Sequence, residues 1–422
     1  MRPLVLAVIG LLFLIPSAIA DEATSLSLHE ALRMAYERNP QVIEARQDTE
    51  AAKGRWIQER TLPNPEVEVS STELSEGLRQ GSTVGDDSIA LSQEVDVLGK
   101  FWLRGQAGKH EYRAAQHTLQ RTWSEVAFDV TKAYNDLLRS TQRVGVTHEN
   151  LNVTRQLLDQ VQLRYSSGQA LRNELLRAQI EAAKAENTVL EAEKQVNVDT
   201  ATLNILLGRD AQTPMVPSDE LTYEVHDFDV DQLLAHALAQ RPDLKAQEAE
   251  VKAHKAKYQL AISNILDNPT VSAVGTRERS LETGAERVFG LSIRMPIPFW
   301  NQNQGAIREA KAEFRKQENA RDALARDIGR EVLRAVAEAR LAQRQVAVWK
   351  TGVEQANELV RLATQQYREG DINFITYLEH LGTVRETKVA YVEALATYRT
   401  QVALVDQAVA KTLIPPGKEP VR

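Results

Sequence analysis

The chain states one plan twice. Arg38-Asn39-Pro40 is echoed by Arg241-Pro242, Asn64-Pro65 by Asn268-Pro269, Leu91-Ser92 by Leu291-Ser292, and Tyr165-Ser166-Ser167-Gly168 by Tyr367-Arg368-Glu369-Gly370. Four landmarks in the same order, at an offset of about 200 residues, mark a tandem duplication. Each half reads as a helix, two alternating strands, a very long helix, a glycine turn and a returning helix. Whatever the fold is, it is built from two copies of that unit.

Met1 to Ala20 carries one cation, Arg2, then an apolar run from Leu4 to Ile15 and the small-residue ending Ala18-Ile19-Ala20. This is the pattern of a secretory signal peptide over 1–20, and the run is too short for a membrane span of about 20 residues. An exported chain without Cys has to be held by packing or assembly, and it has no thiol for a lipid anchor. Its net charge of -7 comes from well-mixed acids and bases with no basic patch, so nucleic acid is not an expected partner. No segment beyond the signal has about 18 consecutive apolar residues, so any membrane crossing falls to strands.

Between Leu98 and Tyr165 there is no Pro, and Leu119, Trp123, Val126, Val130, Ala133, Leu137, Val144, Leu151, Leu158 and Val161 fall at the spacing of a coiled-coil seam. Ile328, Val332, Ala335, Ala339, Val346, Val353, Val360, Ala363 and Tyr367 repeat it. A helix of about 65 residues is about 100 Å long. Gly168 and Gly370 stand where a left-handed residue ends a helix and turns the chain.

A second periodicity precedes each long helix. Val67 and Val69, then Ile89, Leu91, Val95 and Val97, alternate with polar residues; Val271 and Ala273, then Phe289, Leu291, Ile293, Met295 and Ile297, do so again. Period two predicts two hairpins. Each ends in an aromatic couple, Phe101-Trp102 and Phe299-Trp300, suited to a membrane–water interface.

The division expected is a signal peptide over 1–20, a first repeat over 21–213, a linker over 214–230, a second repeat over 231–413 and a disordered tail over 414–422. The first repeat places strands near 65–75 and 87–97, a long helix near 98–165 and a return helix near 171–207. The second places them near 269–277, 287–297, 301–368 and 374–413.

Four strands with one apolar face match outer-membrane barrel strands, but the smallest such barrels have about eight. Open sheet edges are excluded from lipid. Two or three copies are therefore needed, and the amphipathic helices stand in water below the barrel as a conduit.

At this point the chain resembles the TolC family of outer-membrane efflux channels, from about Leu26 to Leu413. Tyr165, Gly168, Glu174, Leu175 and Ala178 match the family's Tyr-x-x-Gly-x-x-x-x-x-Asp-Val-x-x-Ala pattern with Glu for Asp, and Tyr367, Gly370 and Leu378 match it again. The resemblance implies a mainly α homotrimer with a small membrane β-barrel of twelve strands and a periplasmic α-helical barrel. It implies a passive exit duct in the outer membrane of a Gram-negative bacterium, docked to a periplasmic adaptor (membrane fusion protein) and an inner-membrane pump of the resistance-nodulation-division type. The run Pro296-Ile297-Pro298-Phe299-Trp300-Asn301-Gln302-Asn303-Gln304-Gly305 resembles the cobalt-zinc-cadmium branch, which implies heavy-metal cations as cargo, with drugs or other small molecules as the alternative.

By the same resemblance the periplasmic gate lies at the helix-turn tips, Tyr165, Gly168 and Gly370, with Tyr367 contacting Glu174 across neighbouring helices and Glu379 in an acidic ring that favours cations. Thr376 stands where another pore carboxylate is common and Ile372 where a gate Arg can occur. No enzyme, cofactor or metal-site motif is present: the eight His are scattered, and His110 and His117 miss the i, i+4 spacing of helical ligands. A periplasmic adaptor would need compact β domains between its helices. A coiled-coil rod would leave the period-two segments without a role.

Overall fold

A computed structural model describes residues 24–73, 83–280 and 284–411. The expected signal peptide over 1–20 and tail over 414–422 lie outside the described residues. The chain begins with β1 (Thr24–Leu26) and α1 (Leu28–Arg38), whose N-terminus is closed by a reciprocal capping box between Ser27 and Glu30. Where a single first helix is expected there are two. Pro40 has no N–H to continue α1, so the chain restarts as α2 (Pro40–Glu59), capped by the Asn39 side chain, which accepts from the Gln41 N–H at 2.9 Å.

The membrane-type strands are β2 (Glu66–Glu73) and β3 (Thr83–Glu94) in the first repeat, and β5 (Thr270–Ser280) and β6 (Gly284–Arg294) in the second. They form one antiparallel sheet in the order β2-β3-β5-β6, so the pairing of β3 with β5 fuses the two repeats. Register puts Val67, Leu91, Ala273 and Leu291 in one row and Val69, Ile89, Gly275 and Phe289 in the next, all on one face. That face is uncovered: Leu291 is 85% exposed. The opposite face carries serines, with Ser92 and Ser272 hydroxyls 2.8 Å apart and Ser70 and Ser88 likewise 2.8 Å apart. An apolar outside, a polar inside and two unpaired edges are what a barrel wall looks like before neighbouring copies close it.

The helical part is dominated by α3 (Lys100–Ser166, 67 residues) and α7 (Gln304–Glu369, 66 residues), each about 100 Å long at 1.5 Å per residue. The returning helices α4 (Arg172–Leu206) and α8 (Phe374–Ala408) cover only part of that length. The remainder is covered by α2 and by α6 (Pro242–Ser263). The ends meet at matching splices: Asn39 Nδ2 donates to the Leu206 carbonyl at 2.8 Å, and Arg241 Nη1 to the Ala408 carbonyl at 3.3 Å. No helix among the described residues is long and apolar enough to cross a membrane.

The largest core sits at mid-length of α3. Val126, Val130, Tyr134 and Leu137 pack there with Ala31 and Ala35 of α1, with Leu203 and Leu207 at the end of α4, and with Tyr398 of α8. The segment over 214–230, expected as the linker, is packed on the body of the chain. It forms β4 (Met215–Pro217), which pairs in parallel with β1, and it buries Leu221 and Phe228 before α5 (Val230–Gln240) begins. Fully buried Tyr134 ties this girdle to α3 by donating its hydroxyl to the Leu26 carbonyl at 2.9 Å.

Candidate gate at the helical tips

Both long helices end in the same way. The backbone turns left-handed at Gly168 (φ 76°) and Gly370 (φ 86°), while Gln169 N–H returns to the Arg164 carbonyl at 2.7 Å and Asp371 N–H to the Gln366 carbonyl at 2.8 Å. These are Schellman closures. An added Cβ would meet open space at either glycine, so the positive φ, not crowding, selects Gly. Asn373 then caps α8, its Oδ1 accepting from the Thr376 N–H at 2.9 Å.

At the tip all four helices of the tube share one apolar cluster, with Leu157 and Val161 of α3, Ala178 of α4, Ala363 of α7, and Phe374 and Tyr377 of α8. Half-buried Tyr367 lies on its edge. Its ring stacks on Tyr377 at 4.8 Å and tilts against Phe374 at 6.3 Å. Its hydroxyl accepts from Arg164 Nη1 at 3.3 Å, a contact between the two repeats.

Glu174, in the first turn of α4, lines the same cavity of about 530 Å³ as Arg164, Tyr367 and Ile372. Within the chain the hydrogen-bond partner of Tyr367 is thus Arg164, and Glu174 acts on it through space. Burial pushes the Tyr367 hydroxyl above its ordinary pKa, Arg164 opposes the rise and Glu174 adds to it. Arg164 is the residue that sequence reasoning missed, although it directly precedes the Tyr165 landmark.

Tyr165 is 40% exposed. Its repeat-mate Tyr367 has Phe374 and Tyr377 beneath it, whereas the first repeat offers Arg172 and Leu175 at the matching positions. Glu379 lies exposed further along α8, outside this cavity. Among the described residues no group of three His, Cys, Asp or Glu side chains could hold a metal ion.

The aromatic couples are less alike than their sequences. Trp102, Phe299 and Trp300 are exposed, but Phe101 is 8% exposed and departs from the interface role. The alternation stops at Glu94. The Asp96 carboxylate accepts from the N–H groups of Lys100 and Phe101, both at 2.9 Å, and Gly99 turns left-handed (φ 68°). Phe101 therefore lies in the first turn of α3, turned inward beneath the Arg104 guanidinium, 4.9 Å from the ring centroid.

A duplicated unit with an uncovered four-stranded wall and two long antiparallel helix pairs is built as one copy's share of a membrane duct. The family model described as outer membrane efflux protein matches residues 31–209 and 233–411, one match per repeat. The chain belongs to the outer membrane efflux protein family. It is similar to the cobalt-zinc-cadmium resistance protein CzcC of Cupriavidus metallidurans, 21% identical over 400 residues covering 94% of this chain and 93% of that protein. Its fold is that of the outer membrane protein VceC of Vibrio cholerae (TM-score 0.73, 17% identity, 90% of this chain and 95% of that one). It is equally that of the open-state MtrE outer membrane channel of Neisseria gonorrhoeae (TM-score 0.73, 18% identity, 90% and 88%).

The protein is a passive outer-membrane efflux channel and not an enzyme. The adaptor and rod readings fall with that assignment.

Proposed function

We propose that the Arg164–Tyr367–Glu174 cluster is the periplasmic gate of this duct and that its cargo is heavy-metal cations. The observation that carries the gate is the hydrogen bond from Arg164 to Tyr367, which ties the tip of one repeat to the other beside a cavity that Glu174, Glu369 and Arg368 also line. Opening needs α3 and α7 to separate at their tips, and this contact must break for them to do so. Exposed Glu379 adds negative charge along α8, and carboxylates at a constriction raise local cation concentration. Conduction needs only weak sites.

The metal cargo is supported by the similarity to CzcC, named for cobalt, zinc and cadmium resistance, over nearly the whole of both chains. A resistance-nodulation-division pump would supply the driving force. The test is deletion and complementation in the native host, scoring growth on cobalt, zinc and cadmium against growth on drugs, with periplasmic metal measured by mass spectrometry. Sensitivity and accumulation confined to metals are expected. Sensitivity confined to drugs would overturn the cargo and leave the duct intact.

A further inference from the structure

The apolar face of the sheet changes character at its far end. Past the row of Val69, Ile89, Gly275 and Phe289 the register sets Ser71, Asp87, Arg277 and Arg287 in the next row of the same face, with the two arginines directly opposite each other on β5 and β6. The strands join the helical part through their other ends, at Glu66, Glu94, Thr270 and Arg294. Arg277 lies seven residues along β5 from Thr270, about 23 Å at 3.3 Å per residue, close to the ~25 Å height of the apolar band of such barrels. The arginines therefore stand at the edge of the band away from the tube, where the outer leaflet begins.

Like charges directly opposite each other on neighbouring strands destabilise a sheet, their Cβ atoms being only about 5 Å apart. Both arginines are exposed, and among the described residues neither is held in an ion pair. Asp87, opposite Arg277 on β3, accepts from the Ser71 hydroxyl at 2.7 Å and offsets one of the two charges. One row further out the register sets Glu73, Gly85, Arg279 and Ala285. On this face the acids thus belong to β2 and β3 and the bases to β5 and β6. Glu278 and Glu286 have the other parity and share the serine face. The excess positive charge on β5 and β6 borders the uncovered side chains of Phe289, Leu291 and Ile293.

We infer that Arg277 and Arg287 clamp a phosphate of lipid A, the phosphorylated glycolipid of the outer leaflet. One phosphate between two facing guanidinium groups accepts N–H bonds from both and relieves their repulsion. The acyl chains of the same molecule then lie along Phe289, Leu291 and Ile293. A zwitterionic phospholipid would bring an ammonium to a site with positive charge in excess, and a free phosphate would leave the apolar rows untouched. The inference rests on the outer-membrane placement of the sheet and not on the gate or its cargo.

The experiment is native mass spectrometry of full-length protein extracted from outer membranes in mild detergent, stripped of lipid and reloaded with bisphosphorylated or dephosphorylated lipid A at equal concentration. Arg277→Gln, Arg287→Gln and the double variant are run beside the wild type. Arg294→Gln is the control, since it removes the same charge from the serine face. The wild type should retain the phosphorylated form in preference to the dephosphorylated one. Each single variant should lower that retention by about fivefold, the equivalent of one arginine at an anionic lipid surface, and the double variant by more. Arg294→Gln should retain as much as the wild type.

Equal retention of the two lipids by the wild type overturns the site, as does a double variant that retains as much phosphorylated lipid as the wild type or an Arg294→Gln that loses as much as the others. Assemblies of the double variant that fall apart with their lipid A still bound would show that a neighbouring copy takes up the arginines, and would overturn it too. Wild-type protein absent from the outer-membrane fraction would sink the placement, whereas protein that stays there without preference for the phosphorylated lipid sinks only the clamp.

Discussion

Arg164 reaches from the last turn of α3 to the Tyr367 hydroxyl in the last turn of α7, 3.3 Å away, so the tips of the two repeats are latched to each other. Tyr367 is held from the other side by its stack on Tyr377. The latch and the stack can be separated by mutation. Tyr367→Phe keeps the ring and loses the hydroxyl; a hydrogen bond to a charged group contributes about 1.5–3 kcal/mol, enough to move a closed–open equilibrium by roughly tenfold or more. Single-channel recordings in planar bilayers should show more open time for Tyr367→Phe, and more again for Tyr367→Ala combined with Glu174→Ala. Conductance equal to wild type in the double variant would remove the gate from this cluster.

The parts legible in the sequence were those that a local period encodes. Leu91, Ile89 and Phe289 alternate because a sheet face repeats every second residue, and Gly168 and Gly370 stand out because few other residues take a positive φ. The parts that were hidden depend on contacts between distant segments. The pairing of β1 with β4 rests on three residues per strand, too few for any pattern. Tyr134 reads as another α3 residue until its hydroxyl is seen on the Leu26 carbonyl. The Arg164–Tyr367 latch depends on how α3 and α7 are rotated about their axes. Phe101 and Trp102 are neighbours on α3 and so point to different sides of it, one buried and one exposed, which a pair of adjacent aromatics in a sequence does not specify.

The second splice should be the more sensitive one. Arg241 spans three elements, donating to Asp243 of α6, to Glu331 of α7 at 2.6 Å and to the Ala408 carbonyl that ends α8. Its first-repeat counterpart Asn39 is neutral and makes only the Leu206 and Gln41 contacts. Arg241→Ala leaves Asp243 buried without its cation, for which about 3–5 kcal/mol is expected. Arg241→Ala combined with Asp243→Ala should lose less than the sum of the two single variants, because they share one interaction. Denaturant midpoints followed by helical circular dichroism test this; additive losses would mean that the pair is not coupled.

Gly208 and Ala410 occupy matching positions after α4 and α8, both with positive φ (67° and 52°). At Gly208 an added Cβ would lie 2.7 Å from the Arg38 carbonyl oxygen. Gly208→Ala should therefore lose more than the roughly 1–2 kcal/mol of a left-handed Ala alone. Ala410→Gly should shift stability by less than about 1 kcal/mol, since relieved strain is offset by extra freedom in the unfolded chain. Thermal unfolding of the two variants measures both, and equal effects would argue against the close approach of α1 to the end of α4.

The tube should be slightly more stable in mild acid than at neutral pH, and then fail. Burial raises the pKa of Asp136, with Asp199 adding to the rise and Arg139 and Lys132 opposing it. Burial likewise raises Asp406, against Lys411 and His226. For these groups the folded chain binds protons more readily than the unfolded chain, so stability increases as pH falls from neutral through their folded pKa values toward the ordinary 3.8. Asp243 has the opposite sign. Burial works to raise it, but the hydrogen bonds and charge of Arg241 outweigh burial and hold it below 3.8. Its contribution is present above 3.8 and lost as pH falls through its lower folded value. Melting temperature plotted against pH should thus pass through a maximum on the acid side of neutral. Asp136→Asn combined with Asp406→Asn should flatten the approach to that maximum and leave the acid collapse in place. A melting temperature that only falls from pH 7 downward in the wild type would show that the buried carboxylates do not set the profile.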